Sequence, residues 1–209
     1  MKLMNVNEYE ELPTEAAKHN AREWYRYNIQ PNRYDWSIIT EMFQDELVDA
    51  GYLETKVSWS LSYCQGDGVA FYGKMSFRQL DSLIARLSNG NKEMRHLWFK
   101  KIKKWSDYCS IDIRIERNAF GHRYSHFNTM DVSADTAVYG LNKAQENNLI
   151  RFATWLEAVV QNDVRSISRQ LEQLGYKEIE YIKSDPFIAE ELMAGGYYFN
   201  ADGRTSIAV

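Results

Sequence analysis

The sequence predicts an α+β fold: an antiparallel sheet of consecutive hairpins packed by amphipathic helices, with a helical pair before it and a long helix after it. Residues 57–63 and 109–116 alternate apolar and polar side chains, the period of half-buried strands. Elsewhere apolar residues recur every three or four positions, the period of a helix with one buried face. A chain of 209 residues is long enough to bury a core without disulfides or metals.

Two helices are predicted at the N-terminus. Residues 14–29 and 34–50 each carry an apolar stripe. Pro31 separates the two stripes, and Gly51 is placed to end the second helix in a left-handed conformation.

Residues Thr55 to Met75 predict a β-hairpin with Gln65-Gly66-Asp67-Gly68 at its tip. Val57, Trp59, Leu61 and Tyr63 are expected on the core face, and the intervening serines on the other. Asp67 either bonds neighbouring amides as a turn residue or enters a binding site together with Gln65. The loop lacks the ending and the following helix of a phosphate-binding loop.

The rest of the sheet core follows the hairpin. Helices are predicted from Ser76 and over 92–106. Residues 109–116 form a strand whose predicted partner is 124–133.

The C-terminal part predicts a long amphipathic helix and a small strand-helix-strand tail. The long helix covers 149–174 and ends at Gly175. A short strand is expected over 177–183 and a last strand over 197–200. Between them a helix is expected to start at Asp185-Pro186, with Asp185 as its cap and Pro186 in its first turn. The whole chain is predicted to be one domain, with a helical head (1–53), a sheet core with two helices (54–140), and the long helix with its β-α-β tail (141–209).

Composition argues against several classes of protein. A net charge of −4 and a pI near 5.6 disfavour a general nucleic-acid binder. Cys64 and Cys109 lack metal-ligand spacing, so we expect reduced thiols, no zinc site and no cofactor. No apolar leader or membrane-length window occurs, so we expect no membrane partner and a cytoplasmic location. The 14 Tyr and 6 Trp are residues typical of interfaces.

Two segments could carry chemistry besides the hairpin tip. His122, Tyr124 and His126 would share one face of the predicted strand 124–133 and the residues just before it. Asp131 or Asp67 could complete a metal site or an acid–base pair there. Surface or hydrogen-bonded histidines are the simpler interpretation. The second segment interleaves cations with aromatics and is typical either of nucleic-acid binding or of a helix with a solvated lysine face. Its cations are Arg95, Lys100, Lys101, Lys103 and Lys104.

Three segments together resemble a group of small proteins encoded by tailed phages and prophages. Those proteins share an SQGDG-x-x-F-x-G hairpin, a downstream aromatic-x-His strand and an F-T-x-x-G ending; the corresponding segments here are 62–73, 123–126 and 181–203. Cys64 stands where serine is usual, and Asn200 where threonine is usual. The resemblance covers residue 55 to the C-terminus. It implies an accessory protein of a phage, acting in the cytoplasm of its bacterial host.

The first functional hypothesis is therefore a non-catalytic protein that binds and inhibits a bacterial host protein or defence complex, in the manner of an anti-CRISPR protein. Its candidate contacts are the aromatics of 24–27 and 34–36 together with the tip. The candidate binding residues are Gln65, Asp67, Tyr72, Arg123, Tyr124 and His126. One alternative is nucleic-acid binding through the basic segment 92–106. Another is a small hydrolase or nucleotide-sequestering protein that uses the tip and His126; a homodimer is a candidate assembly.

Overall fold

The computed structural model of the protein describes residues 7–30, 35–118 and 124–204. These residues form six α-helices and four β-strands, so the predicted α+β class is confirmed. The elements are α1 (Glu15–Asn28), α2 (Ser37–Asp49), β1 (Thr55–Ser60), β2 (Gly68–Met75), α3 (Leu80–Leu87), α4 (Lys92–Lys100), β3 (Cys109–Arg117), β4 (Met130–Val138), α5 (Lys143–Ile182) and α6 (Asp185–Ala194). Short 3-10 helices lie at Tyr9–Glu11, Phe77–Gln79 and Ile102–Trp105.

The chain divides into two compact units. The larger unit comprises Ile38–Gly175 and contains the whole sheet. The smaller unit joins residues 1–37 to residues 176–209, so it is built from both ends of the chain. The boundary between residues 37 and 38 falls inside the predicted helical head (1–53). The boundary between residues 175 and 176 falls inside the predicted C-terminal part (141–209).

The sheet is antiparallel throughout, in the order β1-β2-β3-β4. Consecutive strands are neighbours, as the predicted run of hairpins requires. In the first hairpin Ser58 lies opposite Ala70, and Ser60 opposite Gly68. The pairing of β2 with β3 covers Gly73 to Met75, so residues 68–72 and the tip of the first hairpin lie beyond this pairing.

One face of the sheet forms the core of the larger unit. Its buried residues include Val69, Phe71, Met75, Ile111, Ile113, Ile115 and Met130. Helix α2 contributes Phe43, whose ring meets Trp59 edge-on at 6.2 Å between centroids. Helices α4 and α5 contribute Trp98 and Phe152, which stack at 5.4 Å. Each such side chain contributes about 1.5–3 kcal/mol when it leaves water.

Helix α5 also protects the edge strand β4. The backbone N–H of Val132 donates to Gln161 Oε1 at 3.0 Å, and Gln161 Nε2 donates to the Met130 carbonyl at 3.1 Å. The N–H of Ala134 donates to Glu157 at 3.1 Å. Three backbone groups that would otherwise invite another strand are therefore bonded within the chain.

Two predictions for the C-terminal part are wrong. The helix does not end at Gly175, and the expected strand over 177–183 lies in α5 up to Ile182. A Cβ on Gly175 would lie 2.6 Å from Phe43 Cζ, so this glycine provides room for packing inside the helix. Ile179 and Ile182 are buried while Tyr181 is exposed, which is the spacing of a helix.

Strand β4 begins at Met130, later than the predicted start at Tyr124. Before it, the N–H and hydroxyl of Thr129 both donate to the His126 carbonyl, at 2.9 and 2.8 Å. This turn places Tyr124 and His126 outside the strand, so the expected strand face does not form. His122, which was to share that face, lies outside the described residues.

The smaller unit has its own apolar core, formed by α1, α6 and nearby segments. Its buried residues are Tyr9, Leu12, Ala17, Ala21, Tyr25, Ile188, Leu192 and Phe199. Thr14 begins α1 as its cap, with its hydroxyl oxygen accepting from the N–H of Ala17 at 3.1 Å. Ser184, rather than the predicted Asp185, caps α6. The last predicted strand is reduced to one bridge between Asn7 and Phe199. No described helix is both long enough and apolar enough to cross a bilayer.

Candidate functional site

The hairpin tip is held by the carboxylate of Asp67. This carboxylate accepts from the backbone N–H groups of Ser62 at 2.6 Å and Cys64 at 2.8 Å. It also accepts from the hydroxyls of Ser60 at 3.0 Å and Ser62 at 3.1 Å. A carboxylate has about four lone-pair positions, and these donors use them. Asp67 therefore acts as the organising residue of the turn.

Tyr63 lies between the two amides that Asp67 binds, and its backbone is left-handed with φ +58°. It is the one non-glycine residue with positive φ in the described ranges 7–30, 35–118 and 124–204. For a bulky side chain this conformation costs about 1–2 kcal/mol. The residue is 62% exposed, although the alternation of β1 predicts a core position. That prediction is wrong because β1 ends at Ser60, where the pleat that would turn Tyr63 inward also ends.

The two tip glycines pack against the segment before β4. Gly68 has φ +148°, and a Cβ there would lie 2.7 Å from His126 Cβ and 2.9 Å from the Ser125 carbonyl oxygen. A Cβ on Gly66 would contact the ring of Tyr124. The Asp67 loop, Tyr124 and His126 are therefore neighbours, as the candidate site required.

His126 has a defined neutral tautomer. Its Nδ1 accepts from the backbone N–H of Asn128 at 3.1 Å, so the proton of the neutral ring lies on Nε2. The ring of Phe127 lies 5.6 Å from that of His126, and the Arg169 guanidinium lies 4.0 Å from the Phe127 centroid. Tyr124, 46% exposed, stacks with His126 at 6.2 Å.

Glu172 of α5 adds a partly buried carboxyl beside this cluster. Burial raises the pKa of Glu172, and the charge of Asp67 raises the pKa further. The charges of His126 and Arg169 act in the opposite direction on this pKa. The net increase means that ionised Glu172 is less favourable in the folded protein than in the unfolded chain.

We expect Glu172→Gln to stabilise the protein at neutral pH. A carboxyl whose pKa is raised by folding contributes stability in its protonated form, and that contribution is lost as the pH rises through the raised pKa. Urea unfolding should show the variant more stable than the parent at pH 7, with the difference vanishing at about pH 4, near the ordinary pKa of glutamate. Glu180→Gln, at an exposed position of the same helix, is the control. A variant less stable than the parent at pH 7 would contradict the expectation.

The other candidate binding residues do not all lie at the hairpin tip. Gln65 is exposed at the tip. Tyr72 lies on the outer face of the sheet with Ser58; the Arg117 guanidinium lies 4.8 Å from its ring centroid. The hydroxyl of Tyr72 is buried and has no hydrogen-bond partner among the described residues. Arg123 lies outside those residues.

The described ranges contain no group of three or more His, Cys, Asp or Glu side chains that could hold a metal ion. Cys64 is an exposed thiol and Cys109 a buried one, and burial raises the pKa of Cys109.

The cations of the basic segment 92–106 lie partly on α4 and partly after it. Arg95 and Lys100 are exposed on α4, whereas Lys101 and Lys104 follow the helix. Lys103 forms an ion pair with Asp81, which also accepts from Trp98 Nε1 at 2.9 Å. Lys103 is therefore partly committed to the fold.

The aromatic residues of α1 that the sequence proposed as contacts belong largely to the core. Tyr25 is 3% exposed, and Trp24 packs edge-on against Tyr197 at 5.6 Å. Tyr27 and Trp36 are exposed, while Tyr34 lies outside the described residues. The tip is therefore the more complete candidate surface.

One family model matches residues 36–185, which is 150 of the 209 residues. The chain belongs to the family described as domain of unknown function DUF8835. The DUF8835 region contains all four strands, the hairpin tip and the basic face of α4. It leaves out α1 and most of α6. No curated protein and no solved structure matches the chain.

Proposed function

We propose that this DUF8835 protein acts by binding, and that its hairpin tip docks on a bacterial host protein and inhibits it. The observation that carries the proposal is Tyr63, a largely exposed aromatic residue held in a strained backbone conformation. Backbone strain of this kind persists where the surrounding structure enforces it, and it clusters at functional sites.

The tip has the properties of a preorganised contact surface. Asp67 fixes the amides on both sides of Tyr63, so little backbone freedom is lost when a partner binds. Tyr124 is exposed next to the loop, and Gln65 adds an amide. Tyrosines dominate the binding energy of many interfaces because they combine a large apolar surface with a polar end.

The resemblance to phage proteins supports a defence complex as the target, in the manner of an anti-CRISPR protein. The hydrolase hypothesis has less support, since the carboxylate of Asp67 already accepts from the loop's own amides and hydroxyls. The proposed site of action is the cytoplasm of the host.

The direct test measures phage infection of bacteria that carry a defence system. Expression of the protein should restore plaque formation by a targeted phage, and the Tyr63→Gly variant should restore it less. Affinity capture with both proteins should then identify a component of that system that is lost with the variant. Failure to restore plaques across a panel of CRISPR and other defence systems would overturn the anti-defence proposal.

Tyr63→Gly is expected to separate binding from folding. Glycine accepts the left-handed conformation, so the free energy of unfolding should stay the same or increase by up to about 1 kcal/mol. Affinity for the partner should fall at least about tenfold, as for a typical interface hot spot. Calorimetric titration with the captured partner measures the affinity.

The matched control is Tyr139→Ser, at a tyrosine that is 73% exposed after β4. It should bind like the parent. If Tyr63→Gly unfolds the protein, the ring is structural; if it binds the partner as tightly as the parent does, the tip is not the contact. Either result contradicts the proposal.

A further inference from the structure

Helix α4 has an exposed face on which basic residues surround one aromatic ring. The residues recur at spacings of three and four, so they form a single stripe along the helix. They are Lys92, Arg95, His96, Phe99 and Lys100, and they line a shallow pocket of about 350 Å³. From Lys92 to Lys100 the stripe extends about 12 Å at the rise of an α-helix.

The charge of this face is not neutralised by the protein's own carboxylates. From Lys92 to Lys104 the sequence has six Lys and Arg residues against one acid, Glu93, although the whole chain carries −4. Glu93 is bonded to Arg151 at 2.9 Å, and Lys103 to Asp81. Within the described ranges neither Arg95 nor Lys100 has an ion-pair partner. The face is therefore a local positive surface on an acidic protein.

Phe99 distinguishes this face from a merely solvated lysine face. It is partly buried, lies in the middle of the stripe, and has Lys103 Nζ 5.9 Å from its ring centroid. Cations combined with a ring are what surfaces that bind unpaired nucleotides use: the cations contact phosphates, and the ring stacks on a base. An acidic protein partner would need the cations alone.

We propose that this face, the α4 stripe, binds single-stranded nucleic acid. The stripe contacts the phosphate backbone through Arg95 and Lys100, and Phe99 stacks on one base. Single strands are preferred because a duplex keeps its bases stacked inside, out of reach of the ring. This binding is separate from the proposed docking of the hairpin tip, and Tyr63 has no part in it.

The experiment measures fluorescence anisotropy of labelled 20-nucleotide single-stranded RNA and DNA over a series of salt concentrations. The parent should bind at low salt, with affinity that falls steeply as salt rises. The double variant Arg95→Ala/Lys100→Ala should bind at least about tenfold more weakly, with a salt slope reduced by about two. Phe99→Leu keeps an apolar side chain and should lose at least about fivefold in affinity with the slope unchanged.

The matched control removes two exposed cations from the sheet, Lys56→Ala/Lys74→Ala, and should bind like the parent. Circular dichroism confirms that each variant is folded. The proposal is overturned if the parent binds neither oligonucleotide, if the two double variants weaken binding equally, or if Phe99→Leu has no effect. The proposal is also overturned if the parent binds a duplex as tightly as it binds the single strands. If the parent binds polyglutamate as tightly as the single strands, the result favours an acidic protein partner and overturns the proposal as well.

Discussion

Asp163→Ala is expected to lower the free energy of unfolding by about 3 kcal/mol, because it removes both the acceptor of a buried hydroxyl and the partner of a partly exposed guanidinium. Asp163 Oδ2 accepts from the hydroxyl of Tyr52 at 2.6 Å, and Tyr52 is fully buried. The Arg86 guanidinium donates to both oxygens, at 2.7 and 2.5 Å. Removing the carboxylate leaves a buried hydroxyl and a half-buried cation without their acceptor.

The position of Asp163 explains why the loss should be global. Tyr52 lies in the turn after α2, Arg86 lies on α3, and Asp163 lies on α5. Burial raises the pKa of Tyr52, and the charge of Asp163 raises it further, so this hydroxyl stays a hydrogen-bond donor. One side chain therefore connects three segments of the larger unit.

Urea unfolding followed by circular dichroism measures the effect. Asp163→Asn keeps one acceptor for Tyr52 and should lose clearly less than the alanine variant. A double-mutant cycle with Tyr52→Phe isolates the contribution of the hydroxyl–carboxylate pair. A loss under about 1 kcal/mol for Asp163→Ala would show that the network is too well solvated to matter.

Asp67→Ala is expected to release the hairpin tip and to abolish partner binding. The substitution removes the acceptor for two backbone amides and two hydroxyls, at a cost of about 2 kcal/mol. Without these bonds the left-handed backbone of Tyr63 loses the contacts that hold its two flanking amides, so this residue relaxes. The strands of the hairpin remain paired.

Amide hydrogen exchange is the sharpest measurement for this variant. The amide protons of Ser62 and Cys64 should exchange at least about tenfold faster, as the loss of about 1.4 kcal/mol of local protection requires. The amides of β2 should exchange as in the parent. Ser60→Ala, which removes only one hydroxyl donor, is the control. Unchanged exchange at Ser62 and Cys64 would mean that Asp67 does not organise the turn.

Much of the fold follows from local patterns. The alternation in 57–63 and 109–116 predicts β1, which ends at Ser60, and β3, because a strand at the surface of a core presents every second side chain to it. Gly51 ends α2 as expected: its N–H bonds to the Val48 carbonyl, and the next N–H, of Tyr52, bonds to Leu47. These features depend on residues within a few positions of one another.

The errors concern residues whose role is set by distant partners. Gly175 is typical of a helix end, yet Phe43, more than a hundred positions earlier, occupies the space where its side chain would lie. Tyr124 and His126 were assigned to a strand, but a turn closed by Thr129 and the packing of Gly66 and Gly68 place them against the tip. No local pattern contains that information.

The candidate sites also combine features that the sequence predicts with features that depend on the tertiary structure. The glycine-bracketed loop and the basic run 92–104 are visible in the sequence, because residue type alone determines backbone freedom and charge. The strained Tyr63, the selection of Arg95 and Lys100 from the other cations, and the Asp163 network are visible only in the structure. Each of these depends on which side chains meet in space, and that is decided when the core packs and leaves certain charges and rings facing outward.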